Sequence, residues 1–421
     1  MTVRVSGEGA APDASPGHAR DLAPDLAFDL VRSALDVAEL LIEHVVEPGL
    51  AVVDQADFTK EVAEVAMLLR LADRVMLEHS DRVRITALGG RIASIARSGG
   101  VRNLVAMRPS RASAHLLAHG CLQQIGCTDD GFDELARAAL SATAAGACER
   151  APYRLLDIAW IRHLLLDDAE LDHPALALSP IAKGVDLVGT SIEDAYAFSH
   201  ALPYATDFGR CALPEWADLR WLSELADALV LKALDEDDLD LLGELLMAPA
   251  LLRTPWSDLQ RFGLRVLSDT WRYFGFVPGP GLPEAASAES VAETRRRVLG
   301  TVYHTTLVGG LLVATLLSTG YWPSDAPTDG RPAGPTQALP AVVPNGATRV
   351  WERVWQRLEP VEQARLAVVP AAMALHRAVA GTDVVTMVHA LNSGAVDELP
   401  GALVTQVAEL VNRLAVLVGA R

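Results

Sequence analysis

Aromatic residues supply only 5% of this chain, and cysteine occurs four times in 421 residues. Scarce rings argue against polysaccharide processing, which wants stacking platforms and two opposed carboxylates. The cysteines, Cys121, Cys127, Cys148 and Cys211, match no zinc or redox spacing. They read as reduced, mostly buried thiols of a cytoplasmic protein. Cations are also short, with 36 Lys and Arg against 54 Asp and Glu for a net charge of −18. That charge repels a polyanion, so nucleic acid is not an expected partner, and the basic stretch 295–297 is too short to reverse it. Convincing strand alternation is missing. So are a phosphate-cradling glycine loop, a nucleophile elbow and a dinucleotide fingerprint, so no cofactor is expected.

What the chain does have is helix-forming apolar periodicity. Half of the residues are hydrophobic, and with few rings the core falls to Leu, Ala and Val, a helical palette beside Glu, Arg and Asp. Segments such as 25–46, 57–78, 214–234, 257–274 and 287–317 place apolar residues three and four apart. Ser257 is a natural N-cap for one of them. The sum is an all-α chain of about fourteen or fifteen helices in antiparallel hairpins, closed into an α/α toroid or left as a helical solenoid. Residues 1–20 read as a disordered lead rich in Gly, Pro, Ala and Ser, and 21–421 as a single domain. Longer connections fall near 167–189 and 320–345. The uncharged segment Val302–Trp322 approaches the roughly 20 residues of a bilayer span. Its His, Thr and Gly-Gly content instead predicts a helix buried inside a soluble fold, so no membrane partner is expected.

The window 190–211, TSIEDAYAFSHALPYATDFGRC, gathers proton-handling side chains more densely than any other. On a helix, Glu193, Tyr196 and His200 share a stripe. Pro203 is expected to break that helix and leave Tyr204, Asp207 and Arg210 on a loop. A carboxylate beside an imidazole sets its tautomer and raises its pKa, phenols donate protons, and an arginine holds an anion. A second cluster, RVLGTVYHTTLVGG, carries Arg297 and His304 seven residues apart, with Thr305 beside them. A histidine and an arginine are costly to bury in an apolar helix unless they meet partners or line a pocket. We therefore expect this helix to face the 190–211 window. His115 and His119 have the i, i+4 spacing of two metal ligands, but no third ligand is evident and no metal site is expected.

The blocks DAYAFSHALPYATDFG (194–209) and YHTTLVGGLL (303–312) resemble an uncharacterised all-helical actinobacterial family associated with natural-product gene neighbourhoods. The resemblance implies a helical fold and a biosynthetic setting, and no catalytic assignment comes with it. The expectation is a pathway-specific enzyme of bacterial secondary metabolism acting on a small molecule or peptide by acid–base chemistry. His200 is the expected general base or acid, oriented by Glu193, with Tyr196 and Tyr204 donating protons and Asp207 sharing proton transfer. Arg210, Arg297, His304 and Thr305 are expected to hold an anionic group. The competing expectation is a non-catalytic helical scaffold that binds a peptide, or a partner protein of the same pathway, in a concave groove.

Overall fold

The computed structural model describes residues 24–45, 58–76, 78–166, 171, 174–279, 291–323, 349–393 and 396–419. The N-terminal lead, most of 320–345 and part of 167–189 fall outside the described residues, among which no strand occurs.

The chain opens with α1 (Pro24–Val45), α2 (Thr59–Val75), α3 (His79–Ala96), α4 (Gly99–Met107), α5 (Ala112–Gln124) and α6 (Asp130–Ser141). Next come α7 (Pro152–Leu165), the single turn α8 (Pro180–Lys183), α9 (Ile192–Thr206), α10 (Leu219–Asp235), α11 (Leu239–Leu245), α12 (Ala248–Leu252) and α13 (Asp258–Phe274). The long α14 (Val291–Thr319) precedes α15 (Val350–Trp355), α16 (Pro360–Arg365), α17 (Val368–Ala380), α18 (Val384–Leu391) and α19 (Gly401–Gly419).

Local signals set several of these ends. Ser257 and Gln260 form a capping box at the start of α13, each side chain accepting from the other's backbone N–H at 3.1 Å. Gly275 ends that helix at φ 78°. The Gly99-Gly100 pair opens α4 behind Ser98, whose hydroxyl accepts from Val101 N–H at 3.4 Å.

Pro203 does not break its helix. α9 runs through it to Thr206, so Tyr204 is helical and shares one face with Tyr196 and His200. Proline removes one i→i−4 hydrogen bond, and ring packing from α7 supports the helix across that gap. The Trp160 and Tyr204 centroids are 5.3 Å apart and those of Tyr153 and His200 5.8 Å. The helix ends at Asp207, where three successive residues take positive φ: Asp207 46°, Phe208 53° and Gly209 84°.

Six helices close a circuit. α14 packs on α2, α2 on α5, α5 on α7, α7 on α9, α9 on α11, and α11 on α14 again. The apolar stretch Leu299–Thr319 of α14 is 78% buried by α1, α2, α11 and their neighbours. Burial thus gives its hydrophobicity a structural role. Its glycine pair serves close approach. A Cβ on Gly309 would stand 2.6 Å from the Trp271 ring, and one on Gly310 2.6 Å from the Ala34 Cβ. Buried apolar side chains form one core that extends from Ala27 to Val407.

Candidate functional site

Five helices of the circuit contribute to a polar cluster inside it. His200, on α9, places Nε2 3.0 Å from Glu244 Oε1 on α11. Ser199 donates to the other oxygen of Glu244. Glu244 is 8% exposed, whereas the His200 side chain keeps 29% of its surface open. Burial pulls the imidazole pKa down, but the charge and hydrogen bond of Glu244 outweigh it and the net shift is upward.

Asp240, one turn before Glu244, joins the two sequence blocks. Tyr196 donates to Asp240 Oδ2 at 3.1 Å, and it approaches both oxygens of Asp238 at 3.3 Å. His304 Nε2 on α14 lies 3.1 Å from that same Asp240 Oδ2, and its Nδ1 lies 2.9 Å from Glu64 on α2. Burial alone would lower the pKa of His304, but the two carboxylates overcome it and lift the ring to about 10. His304 is therefore an imidazolium across neutral pH. The neighbouring Tyr303 meets Glu61, and burial together with Glu64 and Glu61 raises its phenol.

Tyr204 lies one turn beyond His200, with the ring centroids 6.5 Å apart. Burial raises its phenol, and the charges of Asp157, Glu244 and Glu64 add to the effect. Burial also pushes the carboxyl of Asp157, on α7, up to about 6, against the pull of Arg154 and His200. Three buried carboxylate oxygens have no hydrogen-bond partner among the described residues: Asp157 Oδ1, Asp240 Oδ1 and Glu61 Oε2. A buried orphan acceptor costs free energy unless something donates to it.

The structure brings His200, Tyr196, Tyr204 and His304 into this cluster and places Glu193, Asp207, Arg210 and Thr305 elsewhere. Glu193 is exposed in the first turn of α9, and Glu244 is the carboxylate at His200. Both nitrogens of His304 are committed to carboxylates, so the ring has no donor left for an anion. Thr305 is 2% exposed and packs near Gly279. The Arg297 side chain lies outside the described residues.

Asp207 belongs to a different constellation. It is 1% exposed and takes hydrogen bonds from Arg70 at 2.7 and 2.9 Å and from the Trp160 indole at 2.7 Å. Arg210 lies 3.4 Å away and Arg74 3.9 Å away. Its left-handed backbone turns the carboxylate inward to Arg70, so Asp207 anchors charge and does not touch His200.

His115 and His119 also diverge. His115 meets the Thr59 hydroxyl at 3.2 Å. His119 is fully buried between the Arg97 Nε at 3.0 Å and the Asp133 Oδ1 at 2.7 Å. Burial and the Arg97 charge lower its pKa to about 4. No group of three or more His, Cys, Asp or Glu side chains is arranged to hold a metal among the described residues.

Sequence reasoning missed Asp240, Glu244, Glu64 and Asp157. A signal existed for the first two, as lone charges at i, i+4 in the otherwise apolar run LDLLGELL.

The chain belongs to the DUF6895 family. That family, described as a domain of unknown function, matches residues 31–314. Both sequence blocks and every member of the polar cluster lie inside the matched span. No curated protein and no solved structure matches the chain.

Proposed function

We propose that this DUF6895 chain is an enzyme of bacterial secondary metabolism, working in the cytoplasm. It would act on a small molecule or peptide by acid–base chemistry at the polar cluster. The supporting observation is the pair of partly open histidines set against buried carboxylates, three of which leave an oxygen without a donor. Such oxygens favour a substrate that donates hydrogen bonds, and the excess of carboxylates over imidazoles favours one that carries a protonated amine.

In this reading His200 moves the proton. Glu244 fixes its tautomer and favours its charged form, and the Ser199 hydroxyl fixes Glu244 in turn. Tyr196 and Tyr204 stay protonated and serve as donors. His304 keeps its proton and sets the field. Asp157, its carboxyl raised by burial to about 6, is a second carrier suited to general acid or base work.

The test is untargeted mass spectrometry of a small-molecule extract from a producing bacterium, incubated with the wild-type protein or with His200→Ala. The reading expects at least one compound to be consumed by the wild type alone, with helical circular dichroism equal in both. Equal consumption by the two proteins would sink it.

The second reading is a helical scaffold that binds a peptide or partner protein. Apolar side chains left exposed at the C-terminal end favour it, with Val385 at 80%, Val416 at 71% and Leu417 at 67%. Under that reading Val385→Asp and Leu417→Asp abolish function in the producing strain, and His200→Ala leaves it intact.

A further inference from the structure

At the opposite end of the circuit from the carboxylates lies a cavity of about 740 Å³. Glu61 and Glu64 occupy the first turns of α2, and Arg70 and Arg74 its last. Thirteen residues at 1.5 Å separate Glu61 from Arg74, about 20 Å along the helix axis. The C-terminal ends of α2, α9, α12 and α14 surround the cavity with Arg70, Arg74, Arg210 and Arg253, and Tyr321 forms part of its wall.

Two observations mark this cavity as a site for an anion. Arg70 is 2% exposed; its guanidinium lies 5.4 Å over the Trp160 ring, and among the described residues it donates through NH2 alone, to Asp207. Its Nε and NH1 have no partner among the described residues, and Arg74 NH1 has none either. A buried guanidinium with idle donors is costly to keep unless a ligand accepts from it. The second observation is the gathering of cations. Among the described residues four arginines stand here against Asp73 and Asp207, in a chain whose net charge is −18, and they outweigh in number the two carboxylates while also meeting the negative ends of the surrounding helices. Burial and the Arg70 charge press Arg74 down to about 10, and a bound anion would relieve that stress.

The rim is prepared as well. The left-handed Asp207–Gly209 turn sends Asp207 inward and leaves Arg210 57% exposed at the cavity. Arg253 takes a left-handed C-cap conformation, φ 55°, and forms no ion pair among the described residues.

The geometry points to a binding site for the phosphate monoester of a small organic molecule, with the phosphoryl group on Arg70, Arg74, Arg210 and Arg253 and the organic part against Tyr321. Guanidinium forks suit phosphoryl oxygens, and the unpaired N–H groups of Arg70 and Arg74 supply donors for them. The volume lies in the range of small-molecule sites and exceeds what a free phosphate would fill. This site is independent of the acid–base reading, since it shares no side chain with His200, Glu244, Asp240 or His304.

Isothermal titration at constant ionic strength tests it, with phenyl phosphate, inorganic phosphate and benzoate as probes against the wild type, Arg253→Gln, Arg74→Gln and Arg413→Gln. Arg413 on α19 pairs with Glu409 and is far from the cavity in sequence and helix order. Phenyl phosphate should bind saturably to the wild type and to Arg413→Gln, and about tenfold or more weakly to each cavity variant, the loss of one charge-assisted contact. Benzoate should bind more weakly than phenyl phosphate. Absence of saturable binding to the wild type, or equal binding to all four proteins, overturns the site. Inorganic phosphate bound as tightly as phenyl phosphate overturns the ester assignment. Thermal melts of each variant without ligand confirm that all four are folded.

Discussion

His304 Nε2 and the Tyr196 hydroxyl both lie 3.1 Å from one oxygen, Asp240 Oδ2. Through that atom α14 and α9, more than a hundred residues apart in sequence, share a single negative charge. The His304 ring spans from Asp240 to Glu64, so three helices depend on the imidazole being protonated.

The first prediction concerns that proton. The folded pKa of His304 is raised to about 10 from an ordinary 6.5. The stability it contributes is therefore complete below pH 6.5 and is lost as pH rises toward 10. His304→Ala removes the cation between Glu64 and Asp240 and leaves them only Lys60 and the Tyr196 hydroxyl, respectively. Its side chain is 30% exposed, so the cost at pH 6 should be about 2 kcal/mol, between surface and fully buried ion pairs. Urea unfolding of both proteins at pH 6 and pH 10 checks this. A stability gap that does not narrow at the higher pH refutes the charged imidazole.

Asp207→Asn isolates charge from shape. Asparagine tolerates the left-handed backbone at φ 46°, so the turn is retained while Arg70 loses its one counter-ion contact within 3 Å among the described residues. Removing one partner of a buried pair costs about 3–5 kcal/mol. We expect a loss of that size at pH 7, measured by chemical denaturation. A change below about 1 kcal/mol would mean that the ion pair is not what stabilises this end of the circuit.

The same residues show how far the sequence could be read. Helical periodicity carried the fold class, because burying a leucine face leaves a 3.6-residue signature in any all-α chain. That Tyr196 and His304 need buried partners was legible from lone polar groups on apolar helices, and both find Asp240 of α11. The identity of those partners was not. Glu193 and Glu244 are equally plausible in sequence, and only the α9–α11 contact selects Glu244. Pro203 misled for a related reason. Its local preference to end a helix is a few kcal/mol, and packing against Tyr153 and Trp160 decides otherwise. Arg70 and Asp207, 137 residues apart, had no local signal linking them.

The glycines of α14 give opposite predictions along one helix. Gly300 is exposed and a Cβ there meets nothing within 4 Å, whereas Gly309 would press a Cβ to 2.6 Å from Trp271. Gly300→Ala should stabilise by up to about 1 kcal/mol through helix propensity. Gly309→Ala gains the same propensity but overpacks a rigid indole, which costs about 1–3 kcal/mol, so the net effect should be destabilising. Melting temperatures moving in opposite directions are the expected readout, and two shifts of the same sign would contradict the close packing.

Asp157 offers the test that couples stability to function. Its folded pKa is raised to about 6 from 3.8, so the folded state holds its proton more tightly than the unfolded chain does. Stability contributed by the protonated form is complete below pH 4 and is lost as pH rises through 6. Asp157→Asn removes that loss, since an amide never ionises. The variant should match the wild type near pH 4 and exceed it above pH 6, by on the order of 2 kcal/mol. The orphaned Oδ1 and the neighbouring His200 make this an unstable charge that only a ligand donor or a proton-transfer role would justify keeping. Turnover of whatever compound the wild type consumes should therefore fall as stability rises. A variant that is more stable at pH 8 and equally active would show that Asp157 lies outside the chemistry, and one no more stable at pH 8 would show that its carboxyl is solvated.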